Sequence, residues 1–238
     1  MEAVAFASAT TEYRERRFFL FMAIAIALTV VVAFSLFLVA GISSFGAPWW
    51  VHIHAVTFMA WIGFYVLQNT LVFRNEIALH RRLGPIGAGY AAWMVLVGLV
   101  LTPLTLAVGR SPPFFTPAYF LALDWVNILG FGALFYAAIA NRKRTDWHRR
   151  LMLCATVCVI APAPGRLIVL AGLPMTASLD VAILLVFIFV AMLFDWIYRG
   201  RVHVAYAWGV ATLVLIVVIV EMLAKFPPFL ALAGRIAS

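Results

Sequence analysis

Seven stretches of twenty or more predominantly apolar residues recur along the chain, at 18–40, 49–73, 83–108, 117–140, 151–173, 179–198 and 204–224. About 20 helical residues cross the roughly 30 Å hydrocarbon core of a bilayer, and inside it a backbone must satisfy its own hydrogen bonds. The pattern therefore predicts an all-α polytopic membrane protein with seven transmembrane helices. Short loops make neighbouring spans antiparallel. A cytoplasmic segment is expected over 1–17, the seven-span bundle over 18–225 and an outer tail over 226–238. Composition agrees. Apolar residues make up 66% and charged residues 11%, where a soluble domain carries roughly a quarter charged. No signal peptide is expected, because residues 1–17 are polar and charged and 18–40 is too long for a signal core.

The net charge of +8 is not a nucleic-acid footprint, since nearly all Lys and Arg lie in loops between apolar spans. Thirteen of them sit in the N-terminal segment and the loops after spans two, four and six. Only Arg110, Lys225 and Arg235 lie in the loops after spans one, three and five or in the tail. Basic loops stay cytoplasmic, so the expected topology is N-terminus inside and C-terminus outside. The three basic turns, FRNEIALHRRLG, ANRKRTDWHRRLM and IYRGRVHVAYAWG, resemble one another, and the first two share H-R-R-L. They suggest repeated helical hairpins, the third copy being the weakest.

The second span carries a stripe. His54, Phe58, Trp61, Tyr65 and Gln68 recur at steps of four, three, four and three, which is one face of a helix. An imidazole, an indole, a phenol and an amide on that face are expected to turn away from lipid, where unpaired polar groups cost several kcal/mol. His52 lies about 200° around the helix from His54 and is expected at the outer interface.

Most other ionisable residues inside the spans fall in the outer half: Asp124 with Asn127, Arg166, Glu221, and Asp180 at the start of span six. Intramembrane charges are costly and normally face the bundle interior, paired or functional. Arg166 follows Pro162, Pro164 and Gly165, a composition that breaks a helix and frees carbonyls. Two readings follow: an anion or carboxylate site beside a broken helix, or an Arg166–Asp124 ion pair that fixes packing. The expected ligand site comprises His54, Trp61, Gln68, Asp124, Asn127, Arg166 and Glu221, in preference to the cytoplasmic histidines.

His80, His148 and His203 each precede an odd-numbered span at one depth. They either contribute metal ligands or, with their arginines, anchor helix starts at lipid headgroups; anchoring is preferred for His203. The metal-ligating candidates are His54, His80 and His148. Cys154 and Cys158, four apart within one span, are expected as packing residues; a disulfide between them is only marginally compatible with helix geometry.

The residues H-A-x-x-F-x-x-W (54–61), Gln68, L-H-R-R-L-G (79–84), W-H-R-R-L-M (147–152) and R-G-R-V-H…W-G (199–209) resemble a family of uncharacterised bacterial multi-span membrane proteins. The resemblance covers nearly the whole chain and implies a multi-pass protein of the bacterial inner (cytoplasmic) membrane, with no implied activity. A looser likeness is to cytochrome b561-type proteins, which hold haem between histidines on facing helices. The chain departs from that pattern: about 26 residues separate His54 from His80, placing them on opposite sides.

No H-E-x-x-H, phosphate loop, G-x-S-x-G or C-x-x-C is present, and Lys225 lies too near a span end for a retinal linkage. Three function classes stay open. One is a redox protein holding haem b or a transition metal and working with quinone or an oxidase. Another is a carrier or receptor, proton-coupled or not, for a small ligand in the outer half. The third is an accessory or assembly subunit of a larger membrane complex; an oligomer is compatible with each.

Overall fold

The computed structural model describes the backbone of residues 2–238 and the side chains of residues 11–238; side chains of the expected N-terminal segment before Thr11 lie outside the described residues. Its elements are α1 (Glu2–Val39), α2 (Trp49–Phe73), α3 (Ile77–Ala107), α4 (Pro117–Ala140), α5 (Thr145–Val159), α6 (Pro162–Leu170), α7 (Ala177–Arg199), α8 (Ala205–Leu223) and α9 (Pro227–Ala237). There is no strand among the described residues. Six of these helices are long and apolar enough to cross a membrane, and α5–α6, bent 43° at their junction, form a seventh, broken crossing or a re-entrant loop.

Local chemistry sets the helix ends. Thr116 and Thr176 accept the backbone N–H of Tyr119 and Leu179, each at 3.2 Å, as N-caps of α4 and α7. Gly200, at φ +67°, closes α7 in the left-handed conformation. Between α2 and α3 the turn passes through Asn75 at φ +64°, and its side-chain oxygen accepts from Arg16 Nη1 at 2.8 Å. One arginine of α1 thus braces the α2–α3 turn.

The break after α5 has a direct cause. Pro162 and Pro164 have no N–H to give to the carbonyls of Cys158 and Ile160. Ala161 and Ala163 take those acceptors instead, at 3.4 and 2.8 Å. The tightened turn re-aims the chain and delivers Arg166 on α6.

At the centre lies α5, in contact with α1, α4, α7 and α8. Arg150, Leu151 and every residue from Leu153 to Val159 are buried, so this helix has no outward apolar face. Small residues let the neighbours close on it. A Cβ on Gly209 of α8 would lie 2.7 Å from Cys154 Cβ and 3.2 Å from Ile188. Residues 226–238, expected as a tail, contain α9, which packs on α3 and α4. Ala233 is buried with Leu106, Ala118 and Leu121, and Phe229 meets Trp125 edge-on.

Gly209→Ala is therefore expected to push α8 off α5 and to cost about 1–3 kcal/mol, the usual range for overpacking. Thermal unfolding in detergent measures this; a wild-type midpoint would show that the contact is slack.

Candidate functional site

Polar side chains gather at two levels: near the basic turns, and toward the opposite end around α6. The α2 stripe runs between them. Trp61 and Tyr65 are 2% and 4% exposed, with Trp61 edge-on to Phe131 and Phe135 of α4. Its indole N–H and the Gln68 side-chain oxygen are buried without hydrogen-bond partners. At the far end of the stripe His54 stacks on Phe58, ring centroids 4.4 Å apart. His52 leaves the stripe, its Nε2 3.2 Å from the Phe45 carbonyl.

Toward the opposite end, Arg166 of α6 lies in electrostatic range of His54 on α2 and of Asp124 on α4. Arg166 and Asp124 form no direct ion pair. The guanidinium lies over the Phe34 ring at 3.9 Å and donates from Nη1 to the Pro162 carbonyl at 2.7 Å, while Asp124 Oδ2 faces the Thr102 hydroxyl at 3.0 Å. Asn127 is engaged separately, its side-chain oxygen accepting from Cys158 Sγ at 3.1 Å. Glu221 pairs with Lys225 one turn on, at 3.0 Å and largely in the open. Asp180 joins this level from α7. It is 2% exposed, packs beside Gly165 and has one carboxylate oxygen without a partner.

The basic end holds what sequence reasoning missed. Arg150 grips Asp195 of α7 through two bonds, Nε–Oδ2 at 2.8 Å and Nη2–Oδ1 at 2.5 Å, with both side chains 0% exposed. Glu15 of α1 completes the network, accepting from Arg149 at 2.7 Å and Arg150 at 3.3 Å, with Arg199 Nη1 3.1 Å away as an ion pair that forms no hydrogen bond. Treating the second H-R-R as charge held cheaply at the interface is thus corrected. Arg81 and Arg82 are exposed as that reading requires, but Arg150 is interior, because two carboxylates from other helices neutralise it. An acid inside the sixth span, at Asp195, was the available signal.

The three histidines diverge. His203 Nδ1 accepts from the Ala205 N–H at 3.1 Å, so Nε2 carries the proton and donates to Asp146 at 3.0 Å. Burial holds this imidazole below its ordinary range while the Asp146 carboxylate pulls the other way. His80 and His148 lie edge-on to one another, centroids 6.5 Å apart. His54 lies in the other half of the bundle, about four turns or more along α2. Among the described residues no group of three His, Cys, Asp or Glu is placed to hold one metal ion. No family model matches this chain, and no curated protein or solved structure does.

Removing one member of the buried pair strands the other. Arg150→Leu or Asp195→Leu alone is expected to cost about 3–5 kcal/mol, and the double variant much less. Unfolding midpoints of the three variants check this; additive losses would contradict it.

Proposed function

We propose that the chain is a seven-span protein of the bacterial cytoplasmic membrane, basic turns and N-terminus inside. In this reading it serves as a carrier or receptor for a small ligand bearing a carboxylate, held in the outer half of the bundle. One observation carries the reading: Arg166 lies on the segment after the helix break and has no carboxylate at ion-pair distance. Its guanidinium is held by an aromatic ring and one carbonyl of its own helix. A cation kept at such a depth with no carboxylate in direct contact is expensive, and an incoming carboxylate would complete it with charge-assisted, bidentate bonds. His54 and Asp124, which approach Arg166 from separate helices, supply polar groups for the rest of the ligand. Asp180 beside Gly165 adds a titratable group at the same level, which suits proton coupling.

Topology is checked first. Ser111→Cys and Thr145→Cys are expected to react with impermeant maleimide from opposite sides of the membrane, with Cys154 and Cys158 silent because both are fully buried. Labelling of both from one side overturns the seven-span arrangement.

Ligand recognition is checked by thermal shift of the protein in lipid nanodiscs against acetate, succinate and glutamate. At least one is expected to raise the unfolding temperature as bound ligand stabilises the native state. Arg166→Leu should abolish the shift while inserting normally, and Asp124→Asn should do the same. The reading is lost if no carboxylate stabilises the wild type, or if Arg166→Leu responds as the wild type does.

A further inference from the structure

The geometry points to a second site, at the basic end and independent of the carboxylate reading: His80 and His148 form a two-imidazole site for a single copper(I) ion. Each histidine sits one turn into its helix, its backbone N–H bonded to Glu76 O at 3.1 Å on α3 and to Arg144 O at 2.9 Å on α5. Rigid helix starts, rather than loop tips, therefore aim both rings.

The nitrogens are suited to ligation. His148 Nδ1 lies 2.8 Å from the Ala138 carbonyl. A carbonyl only accepts, so Nδ1 carries the proton and Nε2 keeps its lone pair, the outer-shell arrangement common to metal-bound histidine. By hydrogen-bond geometry His80 Nδ1 is buried without a partner, as is the side-chain oxygen of Gln68, while the Gln68 backbone carbonyl is close enough to the His80 ring to favour its protonated form. A buried polar atom left unpaired costs about 1–3 kcal/mol and calls for an explanation. A metal ion on the imidazole supplies one.

The spacing limits the coordination. Two metal–nitrogen bonds of about 2.0–2.1 Å, with about 1.1 Å from each nitrogen to its ring centroid, put imidazole centroids about 6.3 Å apart across a linear centre. A tetrahedral angle brings them about 1 Å closer by the same bond lengths. The observed 6.5 Å leaves room for the linear case, with Nδ1 of His80 and Nε2 of His148 turned toward one ion between them, and is too long for the tetrahedral one. Zinc wants four ligands, and no third His, Cys, Asp or Glu joins the pair among the described residues. Charge points the same way. Arg81 acts on His80 and Arg149 on His148, so a monovalent ion is repelled less than a divalent one. Imidazole suits copper, and copper(I) is the copper ion stable with two collinear nitrogens.

The test uses the full chain, stripped with chelator in detergent and titrated with copper(I) against bicinchoninate. One copper(I) per chain is expected. His80→Ala and His148→Ala should each weaken binding by more than about tenfold. His80→Met, which restores a soft ligand, should recover most of it and show that the alanine effect is not misfolding. Cys154→Ser/Cys158→Ser and His203→Gln should bind as the wild type does. The assignment is overturned by a wild type that cannot compete with the chelator. Binding retained in His80→Ala, or lost with the two cysteines, also overturns it. So does a stoichiometric Soret band in the protein as purified, which would give the histidines to haem instead.

Discussion

Everything near the centre of this bundle depends on a guanidinium that has left water completely. Arg150 could not be buried alone: the desolvation of an ion costs several kcal/mol even after relaxation. Asp195 meets it with a two-point grip and Glu15 adds a third contact. Because the three acceptor and donor groups come from α5, α7 and α1, the network sets the axial position of those helices relative to one another. Buried ion pairs are weak evidence for stability, and their clearest use is to fix register. Here a one-turn slip of α7 would move Asp195 by about 5.4 Å and leave both charges unpaired.

With register fixed there, the other packing features fall into place. Gly209 lies against Cys154 one turn beyond Arg150, and Cys158 another turn on reaches Asn127 of α4. Close backbone approach through small residues is how helices associate where lipid removes the ordinary hydrophobic driving force. The proline break comes only after these contacts are made. It therefore leaves the central packing untouched and alters the half that follows, where Arg166 is turned onto Phe34.

Periodicity and composition revealed the helical class, the loop positions, the inward turn of Trp61 and Tyr65, and the break at Pro162–Gly165. Each of these is governed by nearby residues: apolar run length, a 3.6-residue period, a missing amide hydrogen. The fate of H-R-R was not legible. The same four letters place Arg82 in the open and Arg150 in the interior, because the difference rests on acids 45 and 135 residues away in the chain. The outer residues were legible as a set drawn from different spans, yet not in their pairing. Sequence offered Asp124 as the partner of Arg166, whereas the guanidinium settles on an aromatic ring of α1, in a stretch of that helix without a charged residue. Glu221 was drawn toward the same cluster by depth alone, when a lysine one turn away satisfies it.

A single numerical regularity ties the two ends together. Asp146, Arg150, Cys154, Cys158, Pro162 and Arg166 follow one another at steps of four. At 3.6 residues per turn, each step advances the stripe by about 40° around the helix, so the three steps within α5 carry it about 120°, and the break re-aims the two that follow. A straight stripe would serve one neighbour; a winding one serves several in turn. Asp146 meets His203 in the α7–α8 connection, Arg150 meets α7, Cys154 meets α8, Cys158 meets α4, and Arg166 meets α1. The drift accords with α5 showing no outward apolar face although its polar residues are regularly spaced: a stripe that turns through about a third of a circle cannot face one neighbour alone, and α1, α4, α7 and α8 all pack on this helix. The two ends of the stripe differ in what they meet: Asp146 pairs with the His203 imidazole, whereas Arg166 has only rings and the Pro162 carbonyl.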